Sequence, residues 1–500
     1  MALAASPVSR WRMPANMAPS AVEYIRFLPE IILIATGTLL MVLDVILRDR
    51  APEAYGHISI VALLGAMAAS VIAYSSPGPA FSDLLMVDGF ATFFRVLVIT
   101  AGVLTVLSSY SFLRREGAET GEFHALLLFS VAGQCVMVSA NELIMIFIGL
   151  EISSISSYVL AGYFRDDKRA NESALKYFLL GSFATAFFLY GIAVVYGMTG
   201  YTSLTSIRAA LSGGPTAPPP VFISVAAALM FVGLGFKVSG APFQIWAPDV
   251  YQGAPTPVTG FLATGAKAAA FAIFLRIFMT AFEPIGRDWG PLVWASALLS
   301  MTIGNFAALI QSNIKRLLAY SSIAHAGYVL VALAARSQVG TAAAMFYLGA
   351  YVLMNIGAFA VVSHLSGKGE RFLSVDDFAG LGARQPGTAA LLSIFLLSLI
   401  GVPLTGGFFG KFYIFKAALD SHLVWLTVLG LLTSAVAAYY YLRIMVVMYF
   451  REPGDAAVEL EPLSPSLRAA LVIPALGTLL LGIFPGWVLD FAGKSSALAR

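Results

Sequence analysis

Charge is scarce in this chain. Only 11% of its 500 residues are Asp, Glu, Lys or Arg, against 59% hydrophobic residues. The mean hydropathy of +0.84 excludes a soluble domain and leaves an all-α polytopic membrane protein. A formal charge of +3, with the basic residues scattered through short loops, argues against a nucleic-acid partner. There is one cysteine, Cys135, so an internal disulfide and an iron–sulfur cluster are both excluded, and in its apolar run it reads as a small buried thiol. A Gly-rich dinucleotide fingerprint and a paired-His haem motif are also missing, which leaves no redox centre and no metal site to propose in this chain. The first twenty residues, 1–20, lack a long apolar core and do not read as a cleavable signal; Met13 and Met17 are alternative starts.

What the chain has instead is a series of about fourteen apolar stretches long enough to cross a bilayer. They fall near 28–47, 58–74, 88–112, 123–140, 142–163, 172–198, 220–240, 255–281, 289–311, 316–335, 340–365, 387–417, 421–450 and 467–491. Alternate loops carry Arg48 and Arg50, Arg114 and Arg115, Arg165 with Lys168 and Arg169, Lys315 and Arg316, Lys368 with Arg371 and Arg384, and Arg451 with Arg468. The loops between them hold only Arg208, Arg287, Arg336 and Lys416. Cytoplasmic loops are the basic ones, so both termini are expected on the periplasmic side of a bacterial inner membrane. The tail residues Arg10, Arg12, Lys494 and Arg500 fit that orientation less well.

Lysine is the residue that does not belong. Lys237, Lys267 and Lys411 lie inside apolar segments, each within about ten residues of a proline. An ammonium group at the centre of a bilayer costs roughly 2.5–3.5 kcal/mol on insertion scales, so such residues survive chiefly where they face a polar interior. Burial favours the neutral amine and a nearby carboxylate favours the ammonium, so a pair of Glu151 with Lys237 could act as a switch for proton release. His325 stands between Lys267 and Lys411 as a bridge, with a packing histidine as the alternative. Pro242, Pro255, Pro257 and Pro403 are the expected helix interruptions, because proline removes a backbone donor and frees carbonyls that need polar partners.

The other charges have plainer readings. Glu142 and Glu151 are nine residues apart, about half a turn out of phase, so Glu142 reads as a carboxylate at a helix N-terminus. Arg276, nine residues after Lys267, reads as a snorkelling or helix-end cation. Glu172 and Lys176 form an i, i+4 pair, with a proton-feeding role for Lys176 as the alternative. Asp44, Asp88, Asp249, His364 and Arg443 read as boundary residues, and the Phe, Met and Tyr side chains as packing or lipid-facing groups. A faint internal echo links "SSISSYVLAG" around Tyr158 with "SIAHAGYVLV" around Tyr328, an offset of 328 − 158 = 170 residues. Repeated halves with broken helices suit an ion-coupled transporter.

The segment "APFQIWAPDVYQGAPTPVTGFLATGAK" at 241–267 resembles the signature of the antiporter-like membrane subunits of respiratory complex I and of multi-subunit sodium/proton antiporters. "PDVYQGAPTPV", together with "QSNIKRLLAYSSIAHAGYVLVAL" at 311–333 and "GGFFGKFYIFKAAL" at 406–419, is similar to the subunit N group of NADH-quinone oxidoreductases. The similarity covers about residues 28–490. It implies fourteen helices with two inverted five-helix repeats at 122–281 and 289–450, three preceding helices at 28–121 after a tail at 1–27, and a C-terminal helix and tail at 451–500. It also implies functional positions at Glu151, Lys237, Lys267 and Lys411, and at Lys176 in "SALKYFLLG". The subunits of this group are translocases of protons. Their NADH, flavin, iron–sulfur clusters and quinone belong to other subunits, and their partners are the neighbouring membrane subunits and the lipid bilayer. A secondary sodium/proton antiporter subunit and a non-transporting scaffold are the alternatives.

Overall fold

The computed structural model describes residues 19–47, 52–213, 218–452 and 461–498. Met13, Met17, Arg10, Arg12, Arg48, Arg50 and Arg500 lie outside the described residues. A short helix α1 (Ala21–Arg26), closed by a capping box between Ser20 and Glu23, leads into α2 (Leu28–Leu47) and α3 (Pro52–Tyr74). A two-stranded hairpin, Gly78–Ala80 with Leu85–Val87, then turns the chain into α4 (Gly89–Glu116). Asp88 caps α4 by accepting from Ala91 N, and Gly117, at φ 66°, ends it in the left-handed conformation that glycine adopts without strain. The next helices are α5 (Gly121–Ser139), α6 (Leu143–Ala161), α7 (Lys168–Thr199), the short α8 (Leu204–Leu211), α9 (Pro220–Val238), α10 (Trp246–Gly253), α11 (Thr256–Ala263) and α12 (Gly265–Arg276). A π-helical turn, Ile277–Ala281, follows, then α13 (Gly286–Leu309), α14 (Ile314–Ala334), α15 (Gln338–Leu365) and the single turn α16 (Leu381–Arg384). The chain closes with α17 (Pro386–Ile400), α18 (Gly406–Asp420), α19 (Val424–Phe450), α20 (Pro465–Ile483) and α21 (Gly486–Ser495).

Thirteen spans among the described residues are long and apolar enough to cross a membrane. The pair α17 and α18, broken at 401–405, supplies the fourteenth in two pieces. The hydrophobic stretch predicted at 467–491 likewise stops at Ile483, and Pro485 starts the separate α21. Burial ranks the spans: the most apolar 18-residue stretch of Thr256–Ala281 is 100% buried and that of Ile314–Ala334 94%, whereas that of Leu28–Ile46 is 28%. The two helices that carry Lys267 and His325 are therefore the centre of the molecule, and α2 lines its rim.

Three of the four prolines mark the breaks as expected. Pro242 lies between α9 and α10, Pro255 is the N-cap of α11, and Pro403 lies between α17 and α18. Pro257 instead occupies the first turn of α11, where its missing N–H costs nothing. The break between α11 and α12 falls at Thr264, with φ −121° and ψ −78°, and no proline marks it. Freed backbone groups at the first break are met by side chains, as a membrane interior demands. Ser300 Oγ accepts from Ala241 N at 2.7 Å, Ser296 Oγ donates to Ala241 O at 2.6 Å, and Trp246 Nε1 donates to Phe236 O at 2.9 Å.

The two halves repeat one another in detail. Isolated bridges join Glu142 to Ser203 and Asn313 to Ser374, and both pairs are 171 residues apart (313 − 142 and 374 − 203). Gly133 packs on α6, where a methyl would come 2.7 Å from Gly149 O, and Gly304 packs on α14, where one would come 2.8 Å from Tyr320 O. Those positions are also 171 apart, one residue more than the offset of the YVL strings.

Candidate functional site

The three lysines are interior, 5%, 2% and 7% exposed at Lys237, Lys267 and Lys411; Lys411 is held by carbonyls at its helix break, and Lys237 and Lys267 by groups on neighbouring helices. Lys237 is on the last turn of α9. Its Nζ donates to Ser154 Oγ at 2.8 Å and to Tyr177 OH at 3.3 Å, and lies 5.5 Å from the Tyr177 ring centre. Lys267 is on the first turn of α12, with Nζ 2.9 Å from Ser322 Oγ and 5.7 Å from the Tyr251 ring centre. Lys411 is on α18 and points back across the break to the end of α17. Its Nζ donates to Leu399 O at 3.0 Å, Ile400 O at 2.8 Å and Ser434 Oγ at 2.9 Å, an ammonium at the negative end of a helix dipole.

His325 lies on α14, buried beside two tyrosine hydroxyls. Its Nδ1 is 2.5 Å from Tyr347 OH and its Nε2 is 3.2 Å from Tyr441 OH, which in turn bonds Ser321 Oγ. On α14 the residues Ser322, His325 and Tyr328 follow at spacings of three, which makes them neighbours on one helix surface. Ser322 meets Lys267, and the Tyr328 ring lies 4.9 Å from Lys411 Nζ. Tyr328 OH also accepts from Asn305 Nδ2 at 3.2 Å, and Asn305 Oδ1 accepts from Tyr440 OH at 3.1 Å. Between Lys237 and Lys267 the contacts are aromatic: Tyr177 stacks on Trp246 at 4.6 Å, and Trp246 meets Tyr251 edge-on at 6.0 Å. One buried line thus runs from Lys237 through Tyr177, Trp246 and Tyr251 to Lys267, and on through Ser322, His325 and Tyr328 to Lys411.

Two expected members stand off this line. Glu151 and Lys237 make no direct ion pair; Ser154, one turn beyond Glu151 on α6, takes the lysine, and Glu151 Oε1 is buried without a hydrogen-bond partner. Lys176 is 39% exposed and is shared by two carboxylates, Glu172 and Asp249, each at 2.7 Å. The i, i+4 pair is therefore real, but Lys176 belongs to a network at the water boundary.

Residues 140–437 match the family described as NADH:quinone oxidoreductase/Mrp antiporter, TM. The chain is 70% identical over 97% of its length to NADH-quinone oxidoreductase subunit N 1 of Solibacter usitatus, of which it covers 99%. It is 49% identical over 96% of its length to NADH-quinone oxidoreductase subunit N 2 of Koribacter versatilis, of which it covers 98%. The chain belongs to the NADH-quinone oxidoreductase subunit N family. A chain in the structure of respiratory complex I from Thermus thermophilus with bound aureothin is 37% identical, with a TM-score of 0.80 over 94% of this chain and 99% of that one. A chain of the Mrp complex from Dietzia sp. shares the fold, at 20% identity and a TM-score of 0.80 over 96% of this chain and 97% of that one.

For this subunit N family chain, several plain readings of single charges are corrected or refined. Arg276 is the helix-end cation of α12, one of its two readings, but it does not snorkel: its side chain is 4% exposed and donates to both oxygens of Asp88 at 2.9 and 3.0 Å. Asp249 keeps its boundary reading, in the first turn of α10 and about a third exposed, and in addition ties Lys176 on α7 to Arg316 on α14, each at 2.7 Å. Lys315, read as a loop cation, is fully buried against Glu370 at 2.8 Å and Ala254 O at 2.6 Å. Glu142 does cap α6, accepting from Met145 N at 2.8 Å. Asp44 accepts from Gly121 N at 2.9 Å, His364 bonds Gln385 at 3.2 Å, and Arg443 donates to the carbonyls of Leu309 and Gln311. Cys135 is a buried free thiol.

Sequence reasoning missed three things. The tyrosines are not mere packing: Tyr177, Tyr251, Tyr328, Tyr347, Tyr351 and Tyr441 are buried around the lysines and the histidine. Their signal was available, since Tyr328 lies three residues from His325 and Tyr177 adjoins Lys176. Glu30 and Arg95 form a wholly buried ion pair at 2.7 Å between α2 and α4, each alone in an apolar stretch. His124 is completely buried on α5 with neither ring nitrogen hydrogen-bonded.

Proposed function

We propose that this chain is a proton-translocating membrane-arm subunit of an NADH-quinone oxidoreductase, and that Lys237, Lys267, His325 and Lys411 pass protons in response to quinone reduction elsewhere in the complex. The observation that carries this reading is the row of buried polar and aromatic groups that lies between the three lysines. A buried amine with only hydroxyl and carbonyl partners has no fixed countercharge, so its charge state answers to any carboxylate that approaches or withdraws. Glu151 is that carboxylate for Lys237: it stands one turn from Ser154, and one of its oxygens is uncommitted. When it swings toward Lys237 the ammonium is favoured, and when it withdraws the proton is released toward Lys267.

The two ends of the line differ chemically. From Lys267 to Lys411, Ser322 meets Lys267 and the hydroxyls of Tyr347 and Tyr441 flank His325, which leaves the gaps on either side of that group for water to bridge. From Lys237 to Lys267 the rings of Trp246 and Tyr251 intervene, so transfer there depends on water entering the seam. Lys176, with Asp249 and Glu172, is the water-facing member that supplies Lys237 through the adjacent Tyr177.

The repeats are assigned to 122–281 and 289–450, with 28–121 as a leading three-helix unit and 451–500 as the closing segment; the 171-residue correspondence of bridges and glycines supports this division. Both termini are assigned to the periplasmic side on the strength of the loop charges. NADH, flavin, iron–sulfur clusters and quinone are assigned to companion subunits. The experiment is proton uptake by vesicles carrying the complex. Uptake driven by NADH and insensitive to a sodium gradient supports the reading, and uptake driven by a sodium gradient without NADH replaces it with the antiporter alternative.

A further inference from the structure

The break between α10 and α11 is held by the other half of the molecule. Lys315, at the start of α14, donates to Ala254 O at 2.6 Å, the carbonyl that ends α10. Glu370, in the loop after α15, accepts from Thr256 N at 2.8 Å and from the Thr256 hydroxyl, the first residue of α11. Lys315 and Glu370 are themselves paired at 2.8 Å, with side chains 0% and 10% exposed. One ion pair thus caps the closing end of one helix and the opening end of the next, each with the charge its dipole favours.

The pair is built in, not incidental. Glu370 adopts φ 50°, a left-handed conformation that side-chain-bearing residues rarely take, directly after Gly369 at φ 69° and three residues after Gly367 at φ 66°. The start of α14 is strapped to the same loop region by Ile314 N to Leu373 O and Val375 N to Ser312 O, each 2.8 Å. What this clamp joins matters: α11 continues into α12 with Lys267, and α14 carries Ser322. Lys315 and Ser322 are seven residues apart, about two turns, and so on the same side of α14.

We propose that Lys315 and Glu370 are positioning residues for proton transfer, fixing the register of α11 and α12 against α14 so that Lys267 stays on Ser322 and within reach of the His325 stretch. This rests on the reading of Lys267 as a relay group. The clamp acts across the two halves, because Lys315 and Glu370 come from the second and the Ala254 to Thr256 break from the first.

The test is a double-mutant cycle in the assembled complex, using Glu370→Gln, Ser322→Ala and the double variant, with NADH-driven proton uptake in vesicles as the readout. Oxidation of NADH by an artificial acceptor that bypasses quinone reports intact assembly. The expected result is a roughly 3- to 10-fold fall in uptake for Glu370→Gln and for Ser322→Ala, with the double variant little worse than the more impaired single one, because both act on one contact. Lys315→Arg, which keeps the charge and its reach, retains at least half of the uptake. If Glu370→Gln reduces assembly, Thr256→Val replaces it in the cycle, since that change removes the hydroxyl donor and keeps the ion pair. Multiplicative losses in the cycle, or unchanged uptake in Glu370→Gln, overturn the proposal. Lys267→Ala separates the two claims: normal uptake in that variant sinks the relay reading itself, whereas lost uptake with a multiplicative cycle sinks only the clamp.

Discussion

At the scale of single residues, the cost of burying charge sorts the ionisable groups into two kinds. Glu30 with Arg95 and Arg276 with Asp88 are paired, and such pairs fix helix positions at the cost of desolvation. Glu30→Gln is expected to destabilise the subunit by about 3–5 kcal/mol, because Arg95 is then a buried charge without its partner; thermal unfolding of the purified complex measures it, and an unchanged midpoint contradicts it. Lys237, Lys267 and Lys411 have no carboxylate within ion-pair range among the described residues, which suits groups that must change charge. Tyr347→Phe removes the hydroxyl 2.5 Å from His325 Nδ1 and is expected to slow NADH-driven proton uptake several-fold with assembly intact, read as uptake against artificial-acceptor activity in one preparation. The lysines were legible in the sequence because a cation in an apolar run is an anomaly by itself, whereas His325 could be read there as either a bridge or a packing group. The tyrosines were passed over, since a tyrosine in a membrane helix is ordinary until its spacing from a buried ionisable group, as of Tyr328 from His325, is weighed.

At the scale of helices, the breaks place the chemistry. Every lysine of the row sits close to an interrupted helix; the break itself supplies the carbonyls that receive Lys411, and hydroxyls on the helices alongside receive Lys237 and Lys267. Gly407 is the tightest point: a methyl there would collide with the Ser398 carbonyl across the α17–α18 break. Gly407→Ala is expected to push α18 away from α17, separate Lys411 from the Leu399 and Ile400 carbonyls, and reduce proton uptake by at least as much as Tyr347→Phe. Wild-type uptake in Gly407→Ala would show that the break geometry is not needed. Proline revealed three of the breaks from sequence alone. The fourth, at Thr264, carries no such mark, because a helix can also be interrupted by packing around a Thr–Gly step, which no local signal announces. The same limit explains Lys315: loop charges are read by position, and only the return of the 366–374 loop over α14 shows that this one is buried.

At the scale of the whole molecule, the fourteen spans and the basic loops were readable because hydropathy and loop charge are summed over many residues and tolerate local error. The 170-residue echo was readable only faintly, since the halves are related by backbone contacts at 171 residues more than by shared side chains. The orientation can be checked directly because the sole cysteine, Cys135, is buried. A membrane-impermeant maleimide should leave the native chain unlabelled and should label Lys368→Cys from the cytoplasmic side only. Labelling of Lys368→Cys from the periplasmic side would invert the topology.

The central claim is that protons cross the seam on the buried lysines. Lys267→Ala, at its midpoint, tests it most directly, with proton uptake and artificial-acceptor NADH oxidation measured on the same vesicles. The account predicts uptake reduced at least ~10-fold, about 1.4 kcal/mol or more on the coupled step, while artificial-acceptor oxidation is retained. Uptake at the native rate in that variant would contradict it.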